Sequence, residues 1–276
     1  MPTLEAGSVD AIITDLPYGT TACEWDSIIP LAPMWEQVKR ILKPSGVFIT
    51  TASMPFTGAL WASNPQYFKY DWVWNKYGTT NFGNVKIQPL RQHESVLVFY
   101  DTQCTYNPQV SKDNLRTIFK GRYTRTGESE VAYNSKSNLE AVKHNVGYPK
   151  TILEYMRPNN RIDEGGLHPT QKPTALYRYL IRTYTNHNEV VLDFCFGSGT
   201  TIISAIAEGR RSIGIERDPK YFAIAEKRIS QAAQQPALFH ATQQSVQRTG
   251  GESGQQSLFS AGDSLPAKVT RQSTRR

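Results

Sequence analysis

Asp15-Leu16-Pro17-Tyr18 follows directly on the run Val9-Asp10-Ala11-Ile12-Ile13-Thr14. A short apolar stretch of β type thus ends in a carboxylate, and a proline and an aromatic ring come after it. In open parallel α/β sheets, ligands bind outside the carboxyl ends of the strands. A strand that ends this way presents there an acceptor in Asp15, a rigid backbone carbonyl in Pro17 and a flat π-face in Tyr18. That trio suits a planar ring bearing an amine. The same Pro-Tyr-Gly segment also reads as a plain turn after a strand.

A second group of residues has the makings of a binding turn. Glu189-Val190-Val191-Leu192-Asp193-Phe194 reads as a strand, and Phe196-Gly197-Ser198-Gly199-Thr200 turns into a helix from about Thr201 to Ala207. Glycines in such a turn let backbone N–H groups approach a ligand at a helix N-terminus. The next strand, Arg211 to Glu216, ends in an acid, at the place where a carboxylate accepts from ribose hydroxyls. The dinucleotide fingerprint would need a third glycine where Ile202 stands, and the Gly-Lys-Ser/Thr of a P-loop is absent. A ligand with an adenosine moiety and no pyrophosphate fits better, which points to S-adenosylmethionine. Asp193, Phe194, Phe196, Gly197, Ser198, Gly199, Thr200 and Glu216 are its candidate contacts. Cys195, inside the turn, reads as a small packing residue.

The elements that must position these groups alternate between strand and helix. Trp25 to Leu42 has apolar residues near helical spacing, and Lys43-Pro44-Ser45-Gly46 reads as its stop. Val47-Phe48-Ile49-Thr50 is a buried-type strand, a second helix lies around Phe56 to Ser63, and Tyr70–Lys76 and Ser95–Tyr100 read as strands. Pro173 suits the first turn of a helix carrying Leu176, Leu180, Ile181 and Tyr184. Pro219 to about Ile229 is the last helix. Such alternation predicts βαβ units and a mostly parallel sheet.

Residues 101 to 167 depart from this pattern. Lys112, Arg116, Lys120, Arg122 and Arg125 lie close together with only Asp113 opposing them, and Tyr106, Phe119, Tyr123 and Tyr133 are interleaved. Such a mixture can track a phosphate backbone and stack bases; a solvated, loop-rich excursion would look similar. From Ser230 onward the chain is rich in Gln, Ser, Gly and Thr and reads as disordered.

Composition bounds the classes. The 276 residues carry 39% apolar side chains, ample for one sizeable domain with an insertion or tail, and a formal net charge of +7 that permits a polyanionic partner. No apolar run approaches the length of a membrane span. Cys23, Cys104 and Cys195 form no Cys-x-x-Cys pair, which argues against a structural zinc site or a disulfide framework and fits a reducing cytosol.

Asp-x-Pro-Tyr first, a basic excursion next, then His168-Pro169-Thr170-Gln171-Lys172-Pro173, and Phe-x-Gly-x-Gly last: in that order the chain closely resembles the permuted, or β-group, amino-methyltransferases of DNA. The resemblance covers roughly residues 8 to 230. It implies a Rossmann-like methyltransferase fold, a seven-stranded, mostly parallel sheet with helices on both faces. It divides the chain into a catalytic half (1–100), a target-recognition insertion (101–167), a cofactor-binding half (168–230) and a tail (231–276). It implies transfer of a methyl group from S-adenosylmethionine to the N6 amine of an adenine extruded from double-stranded DNA, without a metal, in a bacterial cytosol or a phage-infected cell. Asp15 and the Pro17 carbonyl would accept the amine hydrogens, and Tyr18 would stack on the base. His168, Thr170, Gln171 and Lys172 would close over the cofactor, Lys172 through its carboxylate. Lys112, Arg116, Lys120, Arg122 and Arg125 would contact DNA. A cognate restriction endonuclease and a monomeric or dimeric state are both compatible with it.

The alternatives are N4 methylation of cytosine, whose enzymes more often carry Ser in place of Asp15, and a silent DNA-binding relative. The Pro-Cys nucleophile of cytosine-C5 enzymes is missing. There are two departures from the family pattern. Leu16 replaces a proline, and the chain begins too late for the Gly-Asp strand that many relatives carry upstream. Ala261-Gly262-Asp263-Ser264-Leu265 is a candidate replacement for that strand; the other reading is a truncated start.

Overall fold

The computed structural model describes residues 1–20, 26–111, 116–120, 140–144, 147–156, 158, 171–234 and 267–271. The chain divides into two compact units, Met1–Asn107 with Thr151–Arg276, and Pro108–Lys150. The second unit lies inside the 101–167 stretch expected from composition, with narrower limits. Its described elements are β5 (Arg116–Lys120) and β6 (Glu140–His144), an antiparallel pair.

The first unit is built on β1 (Val9–Asp15), β2 (Leu42–Ala52), β3 (Phe68–Thr80), β4 (Arg91–Phe99), β7 (Ile152–Glu154), β8 (Val190–Asp193), β9 (Arg211–Glu216) and β10 (Ala267–Arg271). They form one sheet in the order β10-β9-β8-β1-β2-β4-β3-β7. β4 runs antiparallel to both neighbours, and every other pair is parallel. Seven strands make the expected mostly parallel sheet, and the three-residue β7 extends its edge.

β1 lies mid-sheet because its side chains are apolar on both faces, the pattern of a strand covered on both sides. Ala11 and Ile13 join a core with Trp72, Trp74, Val96 and the helix α3 (Thr174–Tyr184). Ile12 joins another with Phe48, Leu97, Phe99 and the helices α1 (Leu31–Ile41) and α2 (Phe56–Ser63). The helices α4 (Thr200–Ala207) and α5 (Pro219–Gln234) close a third around Phe196 and Ile202.

Three sequence readings change. The first helix starts at Leu31, behind Pro30, rather than near Trp25. Lys43–Gly46 does not end it as a turn: β2 begins at once at Leu42, and its pairing to β1 jumps from Val9↔Leu42 to Ala11↔Val47, so these residues bulge from the ladder. The tail expected to lack order supplies β10, paired in parallel with β9 at the sheet's outer edge. Five residues of which only Ala267 and Val269 are apolar are easily hidden in a polar, Gln-rich tail. Residues 261–265 lie outside the described residues. Among the described residues, no helix is long and apolar enough to cross a membrane.

A polar knot ties α3 to the sheet. The buried Tyr184 hydroxyl accepts from the Trp72 indole N–H at 2.6 Å and shares a hydrogen bond with the Tyr70 hydroxyl at 2.9 Å. Tyr184→Phe leaves the indole N–H buried without that acceptor and lowers the unfolding free energy by about 1–3 kcal/mol, read by urea denaturation. An unchanged midpoint would show that the knot adds nothing.

Candidate functional site

β1 delivers Asp15 to the carboxyl edge of the sheet, level with Thr51 on β2. Leu16 turns into the apolar core beside Met34 and Trp35 and is 3% exposed, so the position that departs from the family tetrapeptide is a packing position. Tyr18 lies half-buried with its ring stacked on Phe56, centroids 5.5 Å apart and planes at 24°. The turn after it is held by Asp26, whose two oxygens accept from the Gly19 and Thr20 N–H groups at 2.9 Å each. Gly19 has a φ of +68°, and a Cβ there would meet Ile28 Cγ1 at 2.9 Å, so this turn requires glycine.

Four charges meet at this strand end. Asp15 Oδ1 accepts from the Thr51 hydroxyl and, at 3.0 Å, from the Tyr18 hydroxyl, while Asp15 Oδ2 accepts from the Lys172 ammonium. Lys172 Nζ also lies 3.9 Å from Glu94 Oε2. Lys76 donates to Glu94 Oε1 at 3.0 Å, and Glu94 Oε2 is a second acceptor for the Tyr18 hydroxyl at 3.3 Å. The Tyr18 phenol has one proton for two carboxylates. Burial, then Asp15 and Glu94, push its pKa well up, so it stays a donor. Burial would raise the Glu94 carboxyl, but Lys172 and Lys76 outweigh it and hold the group below its ordinary value. Burial opposes the Lys172 charge, yet Asp15 and Glu94 hold that ammonium above its ordinary value.

The glycine turn lies in the same cavity. β8 ends at Asp193, and Gly197 and Gly199 take φ of +50° and +85° before α4 begins at Thr200. A Cβ on Gly199 would stand 3.2 Å from Ala225 Cβ of α5, so this glycine serves helix packing. Glu216 Oε2 accepts from the Gly197 N–H at 2.9 Å, and Oε1 from the Arg217 and Asp218 N–H groups at 2.8 Å each. An ionised carboxylate offers about four acceptor sites, so Glu216 is oriented by the backbone and, among the described residues, keeps one site on Oε2. The Asp193 carboxylate is filled from inside by the Thr14 and Thr201 hydroxyls and the Cys195 N–H. Its burial raises its pKa to about 6. Burial, then the charge on Asp193, pushes the Cys195 thiol well up, and the residue packs against the core that holds Ile12 and Phe48.

A cavity of about 780 Å³ runs from Asp15, Pro17 and Tyr18 to Phe194, Gly197, Ser198, Glu216 and Tyr221. Thr200 Oγ1, at its wall, is buried with no hydrogen-bond partner among the described residues. An orphaned hydroxyl, a glycine without a side chain and a carboxylate with one acceptor site to spare match a ligand that carries hydroxyls and an adenosine ring. Among the described residues, no group of three or more His, Cys, Asp or Glu could hold a metal ion.

Of the predicted site residues, the structure brings Asp15, Pro17, Tyr18, Lys172, Asp193, Phe194, Phe196, Gly197, Ser198, Thr200 and Glu216 to this cavity, with Gly199 behind it. Lys172 lines the cavity and salt-bridges Asp15, since a buried ammonium takes the nearest carboxylates. His168, Thr170, Lys112, Arg122 and Arg125 lie outside the described residues; Arg116 and Lys120 begin and end β5. Sequence reasoning missed Thr51, Glu94, Lys76 and Asp26. One signal was present: Trp72, Trp74 and Lys76 share the buried phase of one strand, and a lysine there demands a carboxylate.

A family model described as DNA methylase, for N6 and N4 methyltransferases, matches residues 9–227. The type II methyltransferase M.HpaI of Haemophilus parainfluenzae is 28% identical over 239 residues, which cover 82% of this chain and 69% of that enzyme. The DNA adenine methyltransferase YhdJ of Escherichia coli K12 is 27% identical over 83% of this chain and 79% of its own. The crystal structure of an M1.HpyAVI–SAM complex superposes with a TM-score of 0.52 at 23% identity, covering 82% of this chain and 90% of that one.

Asp193 has a pH signature. Its folded-state pKa of about 6 lies above the ordinary 3.8, so the folded chain holds this proton when the unfolded chain has lost it. The associated stability is present below pH 3.8 and is lost as pH rises through 6, about 3 kcal/mol in all. The unfolding free energy of the wild type, read by urea denaturation, falls by most of that amount between pH 4 and 7, and Asp193→Asn flattens the slope. Parallel slopes in the two proteins would place the titration elsewhere.

Proposed function

The chain belongs to the DNA methylase family, and from that premise we propose that it transfers a methyl group from S-adenosylmethionine to the N6 amine of adenine in double-stranded DNA. The observation that supports this reading most is the single cavity that joins Asp15, Pro17 and Tyr18 to the glycine turn and Glu216. The names of M.HpaI and YhdJ, a type II methyltransferase and a DNA adenine methyltransferase, point the same way.

S-Adenosylmethionine, when bound, supplies an electrophilic sulfonium methyl group. Glu216 Oε2 accepts from a ribose hydroxyl, Thr200 Oγ1 gains a partner, and Phe194 and Phe196 exclude water. On the catalytic side, both acceptor sites of Asp15 Oδ1 are filled by Thr51 and Tyr18, and one on Oδ2 by Lys172. One hydrogen of the adenine amine therefore goes to the remaining site on Oδ2, and the other to the Pro17 carbonyl. Both bonds favour a pyramidal nitrogen, whose lone pair is then freed from the ring. These are preorganised acceptors aimed at charge that develops during transfer, and the base must leave the duplex to reach them. Tyr18 offers it the ring face opposite Phe56. The unit Pro108–Lys150, with Lys112, Arg116, Lys120, Arg122 and Arg125, reads the target. Asp15 rather than serine favours adenine over cytosine.

The test is incubation of purified protein with S-adenosylmethionine and unmethylated bacterial DNA, digestion to nucleosides and mass spectrometry. N6-Methyladenine forms with the wild type and falls by about a thousandfold or more in Asp15→Ala. N4-Methylcytosine instead would overturn the base assignment, and no methylated base would overturn the activity. Lys172→Met leaves Asp15 and Glu94 facing each other with Lys76 alone to offset them. It lowers the unfolding free energy by about 3 kcal/mol, measured by chemical denaturation, and an unaltered stability would refute the ion-pair network.

A further inference from the structure

β3 and β4 extend beyond the carboxyl end of β1 and are joined there by residues 81–90. β4 carries Glu94, which bonds the Tyr18 hydroxyl, only three residues after this loop ends at Arg91. The loop therefore springs from the strand that forms the site. Residues 82 to 89 are all exposed, and Phe82, Val85 and Ile87 stand 65%, 56% and 82% open. Three large apolar side chains held together in solvent are costly and mark a contact surface. The loop is ordered by its own bonds. Asn81, at a φ of +73°, starts a 3₁₀ turn over Phe82–Asn84; Asn84 Nδ2 donates to Asn81 Oδ1 at 2.8 Å, and the Ile87 N–H to the Asn84 carbonyl at 3.0 Å. Arg91 braces its base by donating to the Met54 carbonyl at 3.0 Å. From Tyr77 to His93 there is no acid, while Lys86 and Arg91 are cationic.

An apolar tip that also carries Lys86, with Arg91 at its base and the proposed acceptor for a base amine beside it, has the chemistry of a wedge for nucleic acid. Phosphates meet the cations, and apolar side chains fill space between base steps. We infer that residues 81–90 insert Phe82 and Ile87 into the duplex, occupying the gap that the extruded adenine leaves. This rests on the proposed function. Positioning is the role of these two residues, since they touch the rest of the helix and not the reacting nitrogen.

The test uses the full chain and duplexes that contain the sequence methylated in bacterial DNA. Single-turnover methylation by the wild type and by the doubly substituted Phe82→Ser, Ile87→Ser protein is measured with the target adenine opposite thymine and opposite an abasic position. Opposite thymine the variant is slower by about tenfold or more, because unstacking and unpairing are no longer offset. Opposite the abasic position, where little opposes extrusion, it comes within about twofold of the wild type. S-Adenosylmethionine binding, by calorimetry, is equal in the two proteins. Equal rates opposite thymine would overturn the wedge, as would an equal loss on both duplexes. A dimer that dissociates in the variant while the duplex rate holds would also overturn it and assign the loop to a second copy of the chain. A wild type that methylates neither duplex refutes the proposed function itself, an outcome distinct from all of these.

Discussion

The Asp15 carboxylate stands at the end of a strand that has neighbours on both sides, and its side chain is only 22% exposed. A charge so placed needs a partner, since removal from water costs several kcal/mol. Lys172 supplies it from just ahead of α3. That ammonium is itself buried and leans on Glu94 as well, and Glu94 is balanced in turn by Lys76. β1, β4, β3 and the approach to α3 are thus linked by one requirement of electroneutrality. Tyr18 and Thr51 complete it with neutral donors. The Asp15 carboxylate, with donors on both oxygens, lines the cavity at this strand end.

The cofactor side follows a different logic. There the backbone does the orienting: three N–H groups aim Glu216, and Asp193 is packed inward with three donors around it. Asp193 therefore shapes the turn, and Glu216 lines the cavity. Two acids of similar sequence prominence have different work because one is buried behind the turn and the other closes its mouth.

The central part of this arrangement was legible in the sequence. The apolar run Val9–Thr14 marks β1, Asp15, Pro17 and Tyr18 after it line the cavity, and Gly197 and Glu216 line its other part. Glu94 and Lys76 were not legible because they meet only through the antiparallel pairing of β3 with β4, with Trp74 opposite Glu94. The ion pair of Lys172 with Asp15 was hidden for a related reason: the two residues lie 157 positions apart in the chain. β10 was hidden in polar composition, and the bulge at Lys43–Gly46 looked like a stop because proline and glycine signal both.

The pairing of β1 with β8 also has a kinetic side. Thr14 reaches Asp193 across 179 residues of sequence, and Lys172 reaches Asp15 across 157. Contacts of such separation carry a large loop-closure cost and form late. During synthesis β1 and β2 can pair early, since they are close in the chain, but the opposite edge of β1 stays unpaired until β8 emerges. Up to that moment the nascent chain carries the Asp15 tetrapeptide with neither its counter-charge nor a glycine turn beside it. The counter-charge and the far wall of the cavity therefore arrive only with the C-terminal half, and a chain interrupted before Lys172 is synthesised carries Asp15 without that partner.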